Sequence, residues 1–284
     1  MIFRRQLLKY IVYLPILVVT LLVSAKNDVE PIEGQSAPGQ EWKGPELKVM
    51  AYNIHHCNPP SQPDLIDVEA IAKVIRNESP DLVALQEVDV HTRRSGEDLH
   101  QAKALAELTD MHYYFRKAID YEGGEYGIAV LSRFPIEDTL GFALPMAPGL
   151  NAEPRAVAAV KVKLPDGQML IVASTHLDLA TQHRSLQAQK IVESFTKDNY
   201  PVIVAGDFND VVGSEPIEIM DQAFRRTCVG DNCPGTIPVT TPNRIIDYVF
   251  YRPSSAMRVT EHRVVAETYA SDHRPVVAVL QLKD

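Results

Sequence analysis

Short, apolar, β-rich runs dominate the chain, and their number constrains the fold more than any other feature. Leu47 to Asn53, Leu82 to Gln86, Gly127 to Ser132, Ala156 to Leu164, Gln168 to Thr175, Val202 to Ala205, Ile245 to Tyr251, Arg258 to Val265 and Pro275 to Leu282 read as strands. Pro165-Asp166-Gly167 marks a hairpin turn between two of them. Helical periodicity is confined to Asp67 to Asn77, Gln101 to Leu108 and Thr181 to Phe195. About nine strands with few, scattered helices imply an α+β fold of two packed β-sheets flanked by helices, rather than a strictly alternating parallel sheet. No internal repeat and no second linker interrupt residues 46–284, which reads as one domain.

The N-terminus has a different character. Arg4, Arg5 and Lys9 precede an apolar run from Tyr10 to Val23, with Ser24 and Ala25 after it, the three-part pattern of an export signal. A single-span anchor competes with this reading, but the uncharged stretch is only about 15 residues, short of the roughly 20 a hydrocarbon core needs, and Pro15 interrupts it. Residues 1–25 are therefore expected to be a signal peptide or an N-terminal membrane anchor, and the Pro- and Gly-rich residues 26–45 a flexible leader. The expected location is periplasmic or extracellular, or membrane-anchored if the segment is retained. Removing residues 1–25 takes away three basic residues and no acid, moving the net charge from -9 to -12. That deficit argues against gripping nucleic acid by bulk electrostatics, so phosphate recognition would have to be local. In an oxidising compartment Cys228 and Cys233 could close a small loop across VGDN, although nearness in sequence does not guarantee compatible geometry. Cys57 reads as a buried or half-buried thiol, not a nucleophile.

Polar residues recur at the ends of these strands. Asn53 ends KVMAYN, Glu87 ends DLVALQE, His176 ends LIVASTH, Asp207 and Asn209 follow PVIVA, Asp247 sits in RIIDYVF, and Asp272-His273 precede RPVVAVLQL. Residues at strand ends converge when the strands are neighbours in a sheet. Carboxylate and amide oxygens without cysteine or a His-x-x-x-His pair suit a hard divalent cation, above all Mg²⁺, with Mn²⁺ as a substitute and zinc disfavoured. Such a cation beside an Asp-oriented histidine equips a site for attack of water on phosphorus. Each residue also has a plainer reading: Asn53 as a loop cap, Asp207 and Asn209 as an Asx turn, Asp247 as a buried acid satisfied by backbone.

YNIHH, LQEVD, GIAVLSRFPI, STHLD, GDFND, IDYVF and SDHRPV, in this order, resemble the motifs of the endonuclease/exonuclease/phosphatase superfamily, the Mg²⁺-dependent group that includes DNase I, across residues 47–282. GDFN and SDHRPV are the most specific of them. The resemblance implies a DNase I-like four-layer αββα sandwich. It also implies roles: Glu87 and Asn53 as metal ligands, Asp272 completing or bordering the metal site, His273 as the catalytic histidine and Asp247 as the carboxylate that fixes its ring. Asp207 and Asn209 would position the attacking water, and His176 would stabilise the pentavalent phosphorus or help the leaving group. Either His273 or Asp207 serves as general base. Cys57, where relatives often carry Gly, and Ile128, where Asn is frequent, are departures expected at the pocket rim.

Arg93, Arg94 and Arg155 are further substrate candidates. The first two follow Glu87 closely and either present a guanidinium to phosphate or form a solvated basic turn. Arg155 suits a phosphate contact or an ion pair with Glu153. His55 and His56 read better as structural histidines, and YEGGEYG (121–127) as a rim loop. The expected activity is that of an exported Mg²⁺-dependent phosphodiesterase acting on a small molecule, a lipid headgroup or nucleic acid, with no obligate protein partner indicated. A secreted nuclease and a binding protein with a decayed site are the alternatives. Membrane association would arise through residues 1–25 if they are uncleaved.

Overall fold

The structure is a computed structural model that describes residue 42 and residues 44–150, 152–197 and 199–283. The expected signal segment and nearly all of the leader lie outside the described residues. Six strands form one sheet: β1 (Glu46–Asn53), β2 (Leu82–Val90), β3 (His112–Tyr121), β4 (Gly124–Ser132), β12 (Met257–Val264) and β13 (Val276–Leu282), in the order β12-β13-β1-β2-β4-β3. The second sheet orders β10 (Arg225–Arg226), β11 (Asp247–Arg252), β9 (Val202–Asp207), β8 (Met169–His176), β7 (Ala156–Lys163) and β5 (Ile136–Thr139), with β6 (Phe142–Ala143) also on β7. Four α-helices, α1 (Val68–Glu78), α2 (Gln101–Thr109), α3 (Thr181–Phe195) and α4 (Glu215–Asp221), and one 3-10 turn (His55–Cys57) complete the described elements.

Three apolar layers hold these elements together. Leu47, Val49 and Ala51 of β1 face Ala156, Ala158 and Val160 of β7 within the core between the sheets. The alternate residues Met50 and Tyr52 pack outward with Ile71 and Ile75 of α1 and Leu105 of α2. On the other side Ile171, Ala173, Val202 and Val204 lie under Ala188 and Ile191 of α3 and Ile217 of α4. Central strands are thus buried on both faces, which explains runs such as KVMAY that do not alternate with polar residues. The expected sandwich with helices outside both sheets is what the chain forms.

α1 starts where Asp67 accepts a hydrogen bond from the Ala70 amide at 2.9 Å, and stops at Ser79 in the left-handed conformation. The segment 121–127 is no rim loop. It is the tip and flank of the β3–β4 hairpin, with Glu122 (φ 45°) and Gly123 (φ 87°) as the two turn residues. Cys57 and Ile128 are likewise not rim residues. Ile128 is buried between the sheets, and Cys57 is buried in the layer under α1, where burial and then the charges of Asp89 and Asp67 push its thiol far up. Cys57 closes a left-handed turn of His55, His56 and Cys57 (φ 45°, 43° and 60°), the conformation in which glycine is least strained. Cys228 and Cys233 form a disulfide, so the short loop between them is compatible with bridging.

Candidate active site

Strand register brings the polar residues together. β8 and β9 are parallel with His176 opposite Asp207, and β9 and β11 are antiparallel with Asp207 opposite Asp247, so one row across the second sheet carries three of them. β1 and β2 are parallel with Asn53 opposite Gln86, which sets Asn53 beside Glu87 at the end of the first sheet. Between Leu85 and Val88 the β2–β4 register slips, and there Glu87 adopts φ 57°. The bulge takes Glu87 out of the ladder and turns its carboxylate toward Asn53, at a conformational cost of about 1 kcal/mol or more.

The side chains meet at Asp207. Asn53 Nδ2 donates to Glu87 Oε1 at 3.0 Å and to Asp207 Oδ2 at 3.2 Å. The same Asp207 oxygen lies 3.5 Å from His176 Nε2 and 3.8 Å from His273 Nε2. Its other oxygen accepts from the Asn209 amide at 2.8 Å, while the Asn209 side chain donates to the Leu177 carbonyl at 2.9 Å. The Asx turn is therefore real, and it sits inside the cluster. Asn53 Oδ1 likewise accepts from the His55 amide at 3.1 Å while its Nδ2 bridges the two acids. His273 Nδ1 donates to Asp247 at 2.9 and 3.1 Å. Asp272 stands beside the cluster by adjacency to His273, with a 3.5 Å contact to Ser271 Oγ, and is not brought into hydrogen-bonding contact with Glu87.

The arginines divide. Arg93 is exposed, with its backbone amide on the Glu122 carbonyl. Arg94 is engaged with Asp89 at 2.7 and 2.9 Å and covers the ring of Tyr121. Arg155 is buried, pairs with Glu153 at 3.0 Å, and donates from Nη1 to His176 Nδ1 at 3.2 Å. A guanidinium is a donor only, so Nδ1 of His176 must accept and the ring carries its hydrogen on Nε2, facing Asp207. Neither His176's burial nor the Arg155 charge tolerates a second proton, and together they hold its pKa well below the usual range.

Electrostatics separate the acids. Burial pushes Glu87 up, but neighbouring His56, His176 and Asn53 outweigh it and hold the carboxyl far below its ordinary value. Burial and then the Asp247 charge push Asp207 up to about 7. Burial pushes His273 down, yet Asp247, Asp207 and Asp272 raise it to about 10. Among the described residues Asp207, Asp247 and His273 offer ligand atoms all within 4.8 Å of one another. An ionised Glu87 beside Asn53 and the buried Asp207 carboxylate makes a negative, oxygen-rich site, and that donor set fits a hard divalent cation.

Several participants escape sequence reasoning. Ser271 Oγ donates to the Asn53 carbonyl at 2.7 Å and ties the His273 loop to β1. Gln86 and Ser174 join the two sheets by a 2.9 Å hydrogen bond just behind the site. Tyr126 is buried, and after burial the Glu87 charge is the main force raising its phenol. Order along the chain carries no signal for these; only the strand register assembles them.

Residues 50–273 match the model of the endonuclease/exonuclease/phosphatase family. The chain belongs to that family. It is 29% identical over 250 residues to the uncharacterized protein YbhP of Escherichia coli strain K12, covering 83% of this chain and 96% of that protein. An endonuclease/exonuclease/phosphatase structure from Beutenbergia cavernae superposes with a TM-score of 0.68 at 27% identity, over 84% of this chain and 72% of that one. The mannosyl-6-phosphatase Bt3783 of Bacteroides thetaiotaomicron shares the fold with a TM-score of 0.64 at 22% identity, over 82% of this chain and 99% of that one. Members of the family hydrolyse phosphoric esters and typically depend on a divalent metal, which agrees with the oxygen-rich cluster.

Proposed function

We propose that the protein is an exported, Mg²⁺-dependent phosphodiesterase. The observation that carries this reading is the convergence of an ionised Glu87, the Asn53 amide, two buried acids and an Asp-held histidine around Asp207 Oδ2. Export is supported by the basic, apolar, small-residue pattern of residues 1–25.

Glu87 and Asn53, with Asp272 bordering them, would hold the cation. When bound, Mg²⁺ would neutralise charge that develops on the phosphoryl oxygens. The remaining work falls to the chain. Asn209 and Asp207, fixed by their turn, orient a water in line with the scissile P–O bond. The Asp207–His273 pair accepts that water's proton as one unit, while Asp247 holds the imidazole in place. His176 is kept neutral by its burial and by Arg155 and donates from Nε2 to an oxygen of the phosphoryl group, an interaction that strengthens in the transition state. The new P–O bond forms from water, the ester P–O bond breaks, the departing oxygen on the opposite side takes a proton from solvent water, and the Asp207–His273 pair returns its own proton to solvent. The products are a phosphomonoester and an alcohol.

Hydrolysis of bis(p-nitrophenyl) phosphate by the full chain tests the reading. Activity should require Mg²⁺ or Mn²⁺, vanish with EDTA and return when metal is restored. Glu87→Gln and His273→Ala should each lose about 100-fold or more. A folded protein inert toward diesters, monoesters and nucleic acids with either metal would refute it.

A further inference from the structure

Exposed apolar side chains are distributed unevenly. Of the eleven large ones among the described residues, eight lie in loops at the end where the strands deliver the site, while Leu108, Tyr113 and Tyr200 lie elsewhere. Met146, Leu150, Leu179, Val211, Val212 and Val229 belong to four of these loops, with Leu179 75% and Val229 63% exposed. Leu179 follows His176 by three residues, Val211 and Val212 follow Asn209, and Met146 and Leu150 precede Arg155.

The four loops are tied into one surface. Arg184 of α3 hydrogen-bonds the Leu179 carbonyl and pairs with Asp210 at 2.8 Å, joining the loops after β8 and β9. Gln187 accepts from the Asp178 amide at 2.9 Å and reaches the Pro145 carbonyl at 3.4 Å, drawing in the loop before β7. Val212 shares a small cavity with Cys228 and Cys233, so the disulfide holds Val229 on the same rim. Segments 145–150, 177–180, 210–213 and 228–233 contain no lysine or arginine. Of their acids, Asp178 is buried and Asp210 is paired, which leaves Asp231 exposed.

An exposed apolar rim carried on tied loops marks an interaction surface. A polyanion would find no cation on it, and the net charge of -12 for residues 26–284 repels an anionic membrane as well. The same chain opens with a basic, apolar N-terminal segment of the kind that delivers a protein to a membrane. We propose that this rim docks on the surface of a zwitterionic lipid bilayer, presenting the site to phosphodiesters carried in lipid headgroups. The substrate half of the proposal rests on the phosphodiesterase reading; the docking half does not.

Tryptophan placed in the rim reports docking without reference to activity. Leu179→Trp and Val229→Trp, with Leu108→Trp as control, are prepared in the full chain and mixed with vesicles of phosphatidylcholine brominated in its acyl chains. Trp42 contributes the same background in each. An interfacial side chain sits about 5–10 Å into the headgroup and acyl boundary, so both rim tryptophans should be quenched and the control should not. The set is repeated in a His273→Ala background, which removes turnover and should leave quenching unchanged. Leu179→Ser with Val229→Ser should slow hydrolysis of vesicle-borne phosphodiester about tenfold or more, with hydrolysis of soluble bis(p-nitrophenyl) phosphate unaltered. Quenching absent from all three positions, or equal at all three, overturns the docking surface. So does a stable dimer that protects Leu179→Trp from quenching. Quenching confined to the rim without any diester hydrolysis keeps the surface and removes the substrate.

Discussion

Replacing Asp247 by Asn tests the electrostatic core of the site with little change of shape. Asp247 touches His273 Nδ1 with both carboxylate oxygens, at 2.9 and 3.1 Å, and faces Asp207 across the β9–β11 register. Its charge therefore acts on two groups. It is the first of the forces that lift His273 from 6.5 to about 10 against burial, a rise of about 5 kcal/mol. A unit-charge pair at 2.9 Å in an effective dielectric of about 20 interacts by about 6 kcal/mol, so the two figures agree in order. It is also, after burial, the main force that raises Asp207 to about 7. In Asp247→Asn both pKa values should fall, His273 toward or below its ordinary value and Asp207 toward the carboxylate range. Only part of the 5 kcal/mol bears on the transition state, because Asn still accepts from Nδ1. The expected loss in kcat is between about 100- and 10,000-fold. A pH profile with bis(p-nitrophenyl) phosphate at saturating Mg²⁺ should show the acid limb moving to lower pH. Histidine side-chain NMR of the metal-free protein should show His273 titrating several units lower. Activity within threefold of the parent, or an unmoved His273 titration, would refute this account of Asp247.

Arg155→Met removes the donor that fixes the His176 tautomer, so the His176 pKa should rise and kcat should fall about tenfold or more with KM less affected, while Arg155→Lys restores part of both. Gly206→Ala would place a Cβ 2.0 Å from the Thr175 carbonyl oxygen on the neighbouring parallel strand, and it should cost several kcal/mol, seen as a large drop in Tm or failure to fold. Cys228→Ser with Cys233→Ser opens a six-residue loop and should lower stability by about 2 kcal/mol by chemical denaturation, with the metal-dependent activity retained. His262 is held neutral by burial, its pKa lowered to about 4. Above 6.5 it is neutral folded and unfolded alike; as pH falls from 6.5 to 4 only the unfolded chain gains the proton, so stability should decline by up to about 3 kcal/mol. Urea melts from pH 7 to 4 should show that decline, and His262→Gln should flatten it.

The central strands were legible because both of their faces are buried. Met50 and Val49 serve different apolar layers, yet in sequence they read as one run. β3 was not legible. It is an edge strand, HYYFRKAIDY, half exposed throughout, and its charges hide the pattern that burial writes into inner strands. The seven residues of α4 are too few to display a helical period. That Asn53, Glu87, His176, Asp207, Asp247 and His273 would converge could be read from polar residues at strand ends, but not how they are wired together. Arg155 was compatible with a phosphate or with Glu153; the pairing of Val157 with Thr175 is what sets it against His176 as well. Nor does any local pattern in LQEVD announce that Glu87 sits in a left-handed bulge, because that conformation is imposed by the register of β4.

Asn53 and Asp207 each use one side-chain oxygen to shape a turn and the rest of the head group to build the site. Knock-outs at these positions are consequently poor instruments: an alanine there removes the site-facing head group and also unmoors the loop that carries its neighbours, so lost turnover would not isolate a chemical role. The same economy limits transplantation. A designer who grafts these side chains onto another scaffold must bring the strand ends and their first two loop residues with them, because the turn sets the aim of the head group.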